Sequence, residues 1–274
     1  MSSLASRLLA VKIVAALLIT SACGGGDSPA ASSADTLEVS TKADSLAMLV
    51  YDEFGGPEAW ASLRYLRFDF GGGSDSVRNI RAHHLWDRMT GGYRVEMPVG
   101  EDSVYVALFN VNTREGDVYL NGAPVDSTQK GDLMKSAYQR FINDSYWLLM
   151  PVKMFDPGVT RTYEADSSGG NMEVIRLSFA DVGLTPGDQY WVYVDMESGR
   201  VDHWAFRLQH HPPDHVPQPI QWTAYKTLQT PGGEILVSER KLRNGYVTYT
   251  DSVAAPEDVE AGAFTDPNPR LIGS

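Results

Sequence analysis

The chain has 274 residues, 43% of them hydrophobic, and a formal charge of −12, which supplies enough apolar material for a packed core and argues against a disordered chain. A net acidic protein with no basic run lacks the surface that phosphate backbones require, so nucleic acid does not fit as a partner. An anionic membrane surface would also repel the body of the protein, which leaves a lipid anchor as its route to a membrane.

In chain order, the first element is an apolar stretch from Leu8 to Ile19, with Arg7 before it and Lys12 inside it. A spanning helix needs about 20 apolar residues, so the stretch reads as a secretory leader over residues 1–22 ending in small residues. Loss of Arg7 and Lys12 with the leader takes the charge from −12 to −14. The segment Thr20-Ser21-Ala22-Cys23 resembles the lipobox of bacterial lipoproteins, which implies diacylation of Cys23. Thr20 stands where that pattern prefers Leu, so ordinary leader cleavage is the alternative. Cys23 is the only cysteine, so no internal disulfide is available to an exported chain, and a lipid accounts for the thiol. Two or three acyl chains would hold it lastingly.

Residues 23–41 are rich in Gly, Ser, Ala, Asp and Thr and read as a flexible tether. Ala43, Leu46, Ala47, Val50 and Phe54 then recur at helical spacing. Gly55-Gly56 stops that helix, and Pro57 suits the first turn of a second one containing Ala59, Trp60 and Leu63. From Leu66 the period changes to two. Strands are expected near 65–70, 77–88, 93–98, 103–111, 116–120, 159–165, 172–180, 189–195, 201–209, 220–228 and 234–242. Thr90-Gly91-Gly92, Asn121-Gly122, Ser198-Gly199 and Asn244-Gly245 sit between strand-like runs as hairpin turns, so the sheet is antiparallel. Gly71-Gly72-Gly73 reads as a loose hairpin. Leu133, Met134, Ala137, Tyr138 and Phe141 form one helical stripe, which leads into Tyr146-Trp147-Leu148-Leu149-Met150-Pro151 and predicts a helix over one sheet face. The result is a mainly β, α+β domain over 42–250 with an extended tail over 251–274.

No chemistry emerges from the motifs. There is no G-x-S-x-G elbow and no phosphate-cradling glycine loop, and no pair among the acidic residues is singled out as acid and base. No catalytic residue, cofactor or metal ligand is therefore assigned. His210, His211 and His215, with Asp214, would suffice chemically for zinc or copper, but Pro212 and Pro213 stiffen the loop and a solvated loop is the simpler reading. His83 and His84 point to opposite faces of their strand.

Alternate positions put Leu66, Phe68 and Phe70 on one face, as they do Ile175, Leu177 and Phe179, and Trp204, Phe206 and Leu208. With Tyr146 and Trp147 these are the candidate ligand-lining residues. An ordinary core explains each singly, but a curved sheet under few helices leaves a concave side hard to fill.

Phe54-Gly55-Gly56-Pro57-Glu58-Ala59-Trp60, Leu85-Trp86-Asp87-Arg88 with Gly92-Tyr93-Arg94, Asn143-Asp144-Ser145-Tyr146-Trp147-Leu148-Leu149-Met150-Pro151 with Lys153, and Tyr193-Val194-Asp195 carry a resemblance over residues 42–243. The chain resembles the LolA-like lipoprotein-carrier superfamily and, more narrowly, a Bacteroidota-type family of envelope lipoproteins. The resemblance implies an open half-barrel with an N-terminal helix and a helical lid near residues 131–151, whose concave face binds acyl chains. The carriers are usually soluble whereas this chain reads as anchored, and their partner surfaces have no match here, so only binding of an apolar ligand carries over.

The leading expectation is therefore a non-enzymatic lipoprotein of the cell envelope that binds a lipid, acyl chain or other apolar ligand. Gly24 after Cys23, by resemblance to enterobacterial sorting, places it on the outer membrane facing the periplasm. The alternatives are an interaction module with a filled core that binds another envelope protein, and a metal-binding protein or enzyme using His210 to His215.

Overall fold

The computed structural model of the chain describes residues 37–180, 185–212 and 214–272. The expected leader, the expected lipidation site Cys23 and the expected tether as far as residue 36 lie outside the described residues.

Helix α1 (Lys42–Glu53) starts at a capping box, in which the Thr41 hydroxyl accepts from the Asp44 N–H at 3.1 Å and the Asp44 carboxylate accepts from the Thr41 N–H at 3.0 Å. Two donors of the first turn that have no intrahelical partner are thereby satisfied. Ala43, Leu46, Ala47 and Val50 are buried, as their spacing predicts. Gly55 ends the helix at a φ of +117°, where a Cβ would meet the Glu234 carbonyl oxygen at 2.7 Å, so a side chain is excluded twice over. Helix α2 (Gly56–Ser62) follows, with Pro57 in its first turn.

Among the described residues, thirteen strands form one antiparallel sheet. Strands β1 (Tyr65–Ser74), β2 (Val77–Asp87), β3 (Gly92–Val99), β4 (Ser103–Asn110), β5 (Gly116–Leu120) and β6 (Ala123–Pro124) run outward in order. Strands β7 (Val159–Tyr163), β8 (Met172–Phe179), β9 (Gln189–Asp195), β10 (Val201–Arg207), β11 (Ile220–Thr230), β12 (Gly233–Arg243) and β13 (Tyr246–Ala254) return from the other edge, and β13 pairs with β1. Asn121-Gly122 and Asn244-Gly245 all have positive φ, between 47° and 87°, the geometry that tight hairpins need.

Because β6 and β7 are opposite edges, the segment joining them has to cross the sheet. That segment is α3 (Ser127–Lys153), 27 residues or about 40 Å long. Thirteen strands laid flat would be roughly 58 Å wide, and curvature of the sheet brings the edges within the helix's reach. The fold is thus mainly β, a curved open antiparallel sheet with few helices, as expected.

Three apolar clusters lie between the sheet and its helices. Leu66, Phe68 and Phe70 meet α2 and Leu148 and Leu149 of α3. Tyr93, Val95 and Phe109 meet the first half of α3, and Ile175, Leu177, Val192 and Trp204 meet α1 with Met150 and Met154.

The structure departs from expectation at four places. Gly71 to Gly73 are not a hairpin but part of β1, paired on both sides. A Cβ on Gly72 would lie 1.9 Å from the Tyr246 hydroxyl, so the missing side chain makes room for that ring. Strand β13 was not expected, and it takes the sheet past position 250 to Ala254. Leu208 lies beyond the end of β10 and does not continue its alternation; its N–H donates to His211 Nδ1 at 3.2 Å. Finally, α3 begins at Ser127 and continues through Pro151 to Lys153.

The segment after β13 lies on the outer face of the sheet. Ala263 and Leu271 pack on Leu85, and Phe264 stacks on Tyr65 at 6.3 Å. Arg94 donates to the carbonyls of Asp266 and Asn268, and Glu96 accepts from the N–H groups of Arg270, Leu271 and Ile272.

Candidate ligand cavity

Arg140, Asn143 and Trp147 recur at three- and four-residue steps and so share one face of α3. Beneath that face is a cavity of about 300 Å³. Phe70 and Gly71 of β1, Arg81 of β2, Phe206 of β10, Ile220 of β11, Lys241 and Arg243 of β12, and Tyr246 and Thr248 of β13 complete its lining. These strands bring distant parts of the chain together because β13 closes onto β1 in the middle of the sheet. Trp147 is fixed over the cavity by edge contacts with Trp204 at 4.8 Å and Phe206 at 6.1 Å.

The polar part of the lining is cationic. Lys241 is fully buried; its ammonium donates to the Ser238 carbonyl at 2.6 Å and the Thr250 hydroxyl at 2.5 Å, and lies 4.5 Å from the centre of the Trp222 ring. Burial pushes its pKa well below the ordinary lysine value. Arg81 donates weakly to the Tyr246 hydroxyl at 3.4 Å. Among the described residues, no ion pair within 4.0 Å joins Arg81, Lys241 or Arg243 to a carboxylate.

A second polar group adjoins the cavity through Arg140. Asp144, wholly buried, accepts from Asn143 Nδ2 at 2.7 Å and lies 3.6 Å from Arg140 Nη1 and 3.3 Å from His84 Nε2. The other ring nitrogen of His84 is 2.8 Å from the Tyr93 hydroxyl. Burial lowers the His84 pKa against the opposing pull of Asp144, and burial also raises the Tyr93 pKa well above its ordinary value. The consistent arrangement is a neutral imidazole that accepts from Tyr93 at Nδ1, while its Nε2 faces the Asp144 carboxylate at 3.3 Å without an aligned hydrogen bond. This chain of groups ties α3 to β2 and β3.

Of the residues singled out in the sequence, Phe70, Trp147 and Phe206 line the cavity. Leu66, Phe68, Ile175, Leu177 and Trp204 are fully buried core, and Phe68 stacks on His84 at 4.4 Å. Tyr146 and Phe179 meet edge to face at 6.0 Å beside that core. Arg81, Lys241 and Arg243 were not anticipated, since a charged residue in a strand reads as solvent-facing, and neither were Arg140 of α3 and Tyr246 of the unexpected β13. In the histidine loop, the His211 and His215 rings lie 3.9 Å apart. Among the described residues no group of three or more His, Cys, Asp or Glu is placed to hold a metal ion, and no helix is long and apolar enough to cross a membrane.

No family model matches the sequence, and no curated protein matches it. Solved structures do resemble it. A DUF1329 family protein from Desulfovibrio piger aligns at 8% identity and a TM-score of 0.46, covering 82% of this chain and 98% of that one. A LolA superfamily protein from Nitrosomonas europaea aligns at 10% identity and a TM-score of 0.40, with the same coverage.

Proposed function

We propose that the protein is a non-enzymatic binding protein of the cell envelope, attached by a lipid on Cys23, which holds one apolar ligand between α3 and the sheet. The observation behind this reading is the cavity itself: Trp147, Phe70, Phe206 and Ile220 surround unfilled space beneath a helix that bridges both edges of the sheet. At about 300 Å³ it stands at the lower end of small-molecule sites, a size suited to a single chain. The ligand would leave the cavity when α3 lifts, and the proposed anchor keeps the exchange close to a membrane.

The test is binding of an uncharged fluorescent naphthylamine to the purified chain, with native mass spectrometry for any co-purified lipid. Saturable binding is expected, and Thr248→Phe, which fills the cavity, should weaken it about tenfold or more, an energy near 1.4 kcal/mol. Absence of both binding and retained lipid would overturn the reading.

A further inference from the structure

The cavity's lining has a charge pattern that an apolar ligand alone does not explain. Four cations, Arg81, Arg140, Lys241 and Arg243, face it, and no carboxylate does, although the chain carries a net charge of −12. Carboxylates are not scarce nearby. Arg78 pairs with Asp251, Arg240 with Asp75 and Lys226 with Glu239 on the same and adjoining strands. Of the four cations that face the cavity, only Arg140 has a carboxylate within 4.0 Å among the described residues, its guanidinium standing 3.6 Å from Asp144.

Lys241 makes the point most directly. A buried ammonium whose contacts are one carbonyl, one hydroxyl and an indole ring, with the Glu239 carboxylate attracting it only through space, has lost its hydration without gaining a counter-charge in contact, which is costly. An anion in the cavity would supply that counter-charge. The exposed Arg81 and Arg243 offer planar forks suited to a carboxylate or phosphate, and the half-buried Trp147 and Phe206 of the same lining offer apolar surface.

We infer that the ligand is a single-tailed anionic amphiphile, its carboxylate or phosphate head held by Arg81, Arg243 and Lys241 and its tail laid against Trp147 and Phe206. The inference rests on the cavity reading given above and specifies its ligand class. The head is recognised by charge and hydrogen bonding, and the small volume selects one tail over two or three. Binding is thus directional, with the head at the β12–β13 hairpin, where Arg243 and Tyr246 lie.

Calorimetric titration of the purified chain with decanoate, decyl phosphate and 1-decanol tests this, with acetate and inorganic phosphate as tail-less probes. A charged amphiphile is expected to bind about tenfold or more tightly than the alcohol, and Arg81→Gln with Arg243→Gln should bring that preference close to one. Lys135→Gln, which removes a charge from the exposed side of α3, should leave the preference as it is. Equal binding of decanoate and decanol would overturn the inference while leaving the apolar cavity reading in place. Equally tight binding of acetate or phosphate would overturn it in favour of a small-anion site. If none of the probes bound, both readings would fall together.

Discussion

Trp222 and Lys241 are cross-strand partners on β11 and β12, both buried, with the ammonium 4.5 Å from the indole centre. The ring's negative face offsets part of the cost of burying the cation, and Glu239 attracts it only through space, without contact. Lys241→Met should therefore raise stability to urea by about 1–2 kcal/mol. The hydroxyl left behind stays satisfied, because Thr250 already donates to the Ser238 carbonyl at 2.8 Å. The same variant should weaken decanoate more than decanol. A loss of stability would mean that the lysine is structural and its exposure to the cavity incidental.

Arg94 and Glu96 lie 3.3 Å apart on the outer face of β3, and both are fully buried by the C-terminal segment. Glu96→Ala would leave Arg94 without its counter-charge and three backbone N–H groups without their acceptor. A cost of about 3–5 kcal/mol is expected, with new protease cleavage between residues 255 and 272. Limited proteolysis resembling that of the unaltered chain would show that the apolar contacts of Phe264 and Leu271 suffice to hold the segment.

His84 gives the protein a sensitivity to mild acid. Its folded pKa is lowered by burial, so below the ordinary value of about 6.5 the unfolded chain binds more protons than the folded one. Stability should fall as pH drops from about 6.5 toward the lowered folded value, before most carboxylates titrate. His84→Gln should flatten that slope in urea unfolding curves collected across this range. An unchanged slope would assign the sensitivity to another group.

Cys23→Ser should move the protein from the membrane fraction to the soluble fraction of the cell, since the proposed lipid is its only attachment. Persistent membrane association in the variant would remove the anchor from the account.

Much of the fold was legible because its signals are local. The spacing of Ala43, Leu46, Ala47 and Val50 places a helix, the alternation from Leu66 to Phe70 places a strand, and Asn121-Gly122 and Asn244-Gly245 place hairpins through their own φ values. Each depends on a few neighbouring residues and the backbone between them. Strand β13 escaped notice because Asp251 and Ser252 dilute the alternation of Tyr246 to Thr250. Only the sheet, by pairing β13 with β1, gives the inward positions of that run a meaning.

The mainly antiparallel β character, the opening helices and a long helix across one face can all be read from the order of residues, since periodicity and turn chemistry are properties of short segments. The tertiary structure decided what the cavity is made of. Phe70 and Thr248 line one cavity only because the two halves of the sheet join at β1 and β13, and no local pattern records that junction. It also decided that Lys241 is buried and that Arg81, Lys241 and Arg243 converge on one cavity, because a strand position becomes interior only when another element covers it, and the element here is α3, drawn across the sheet by the need to join opposite edges.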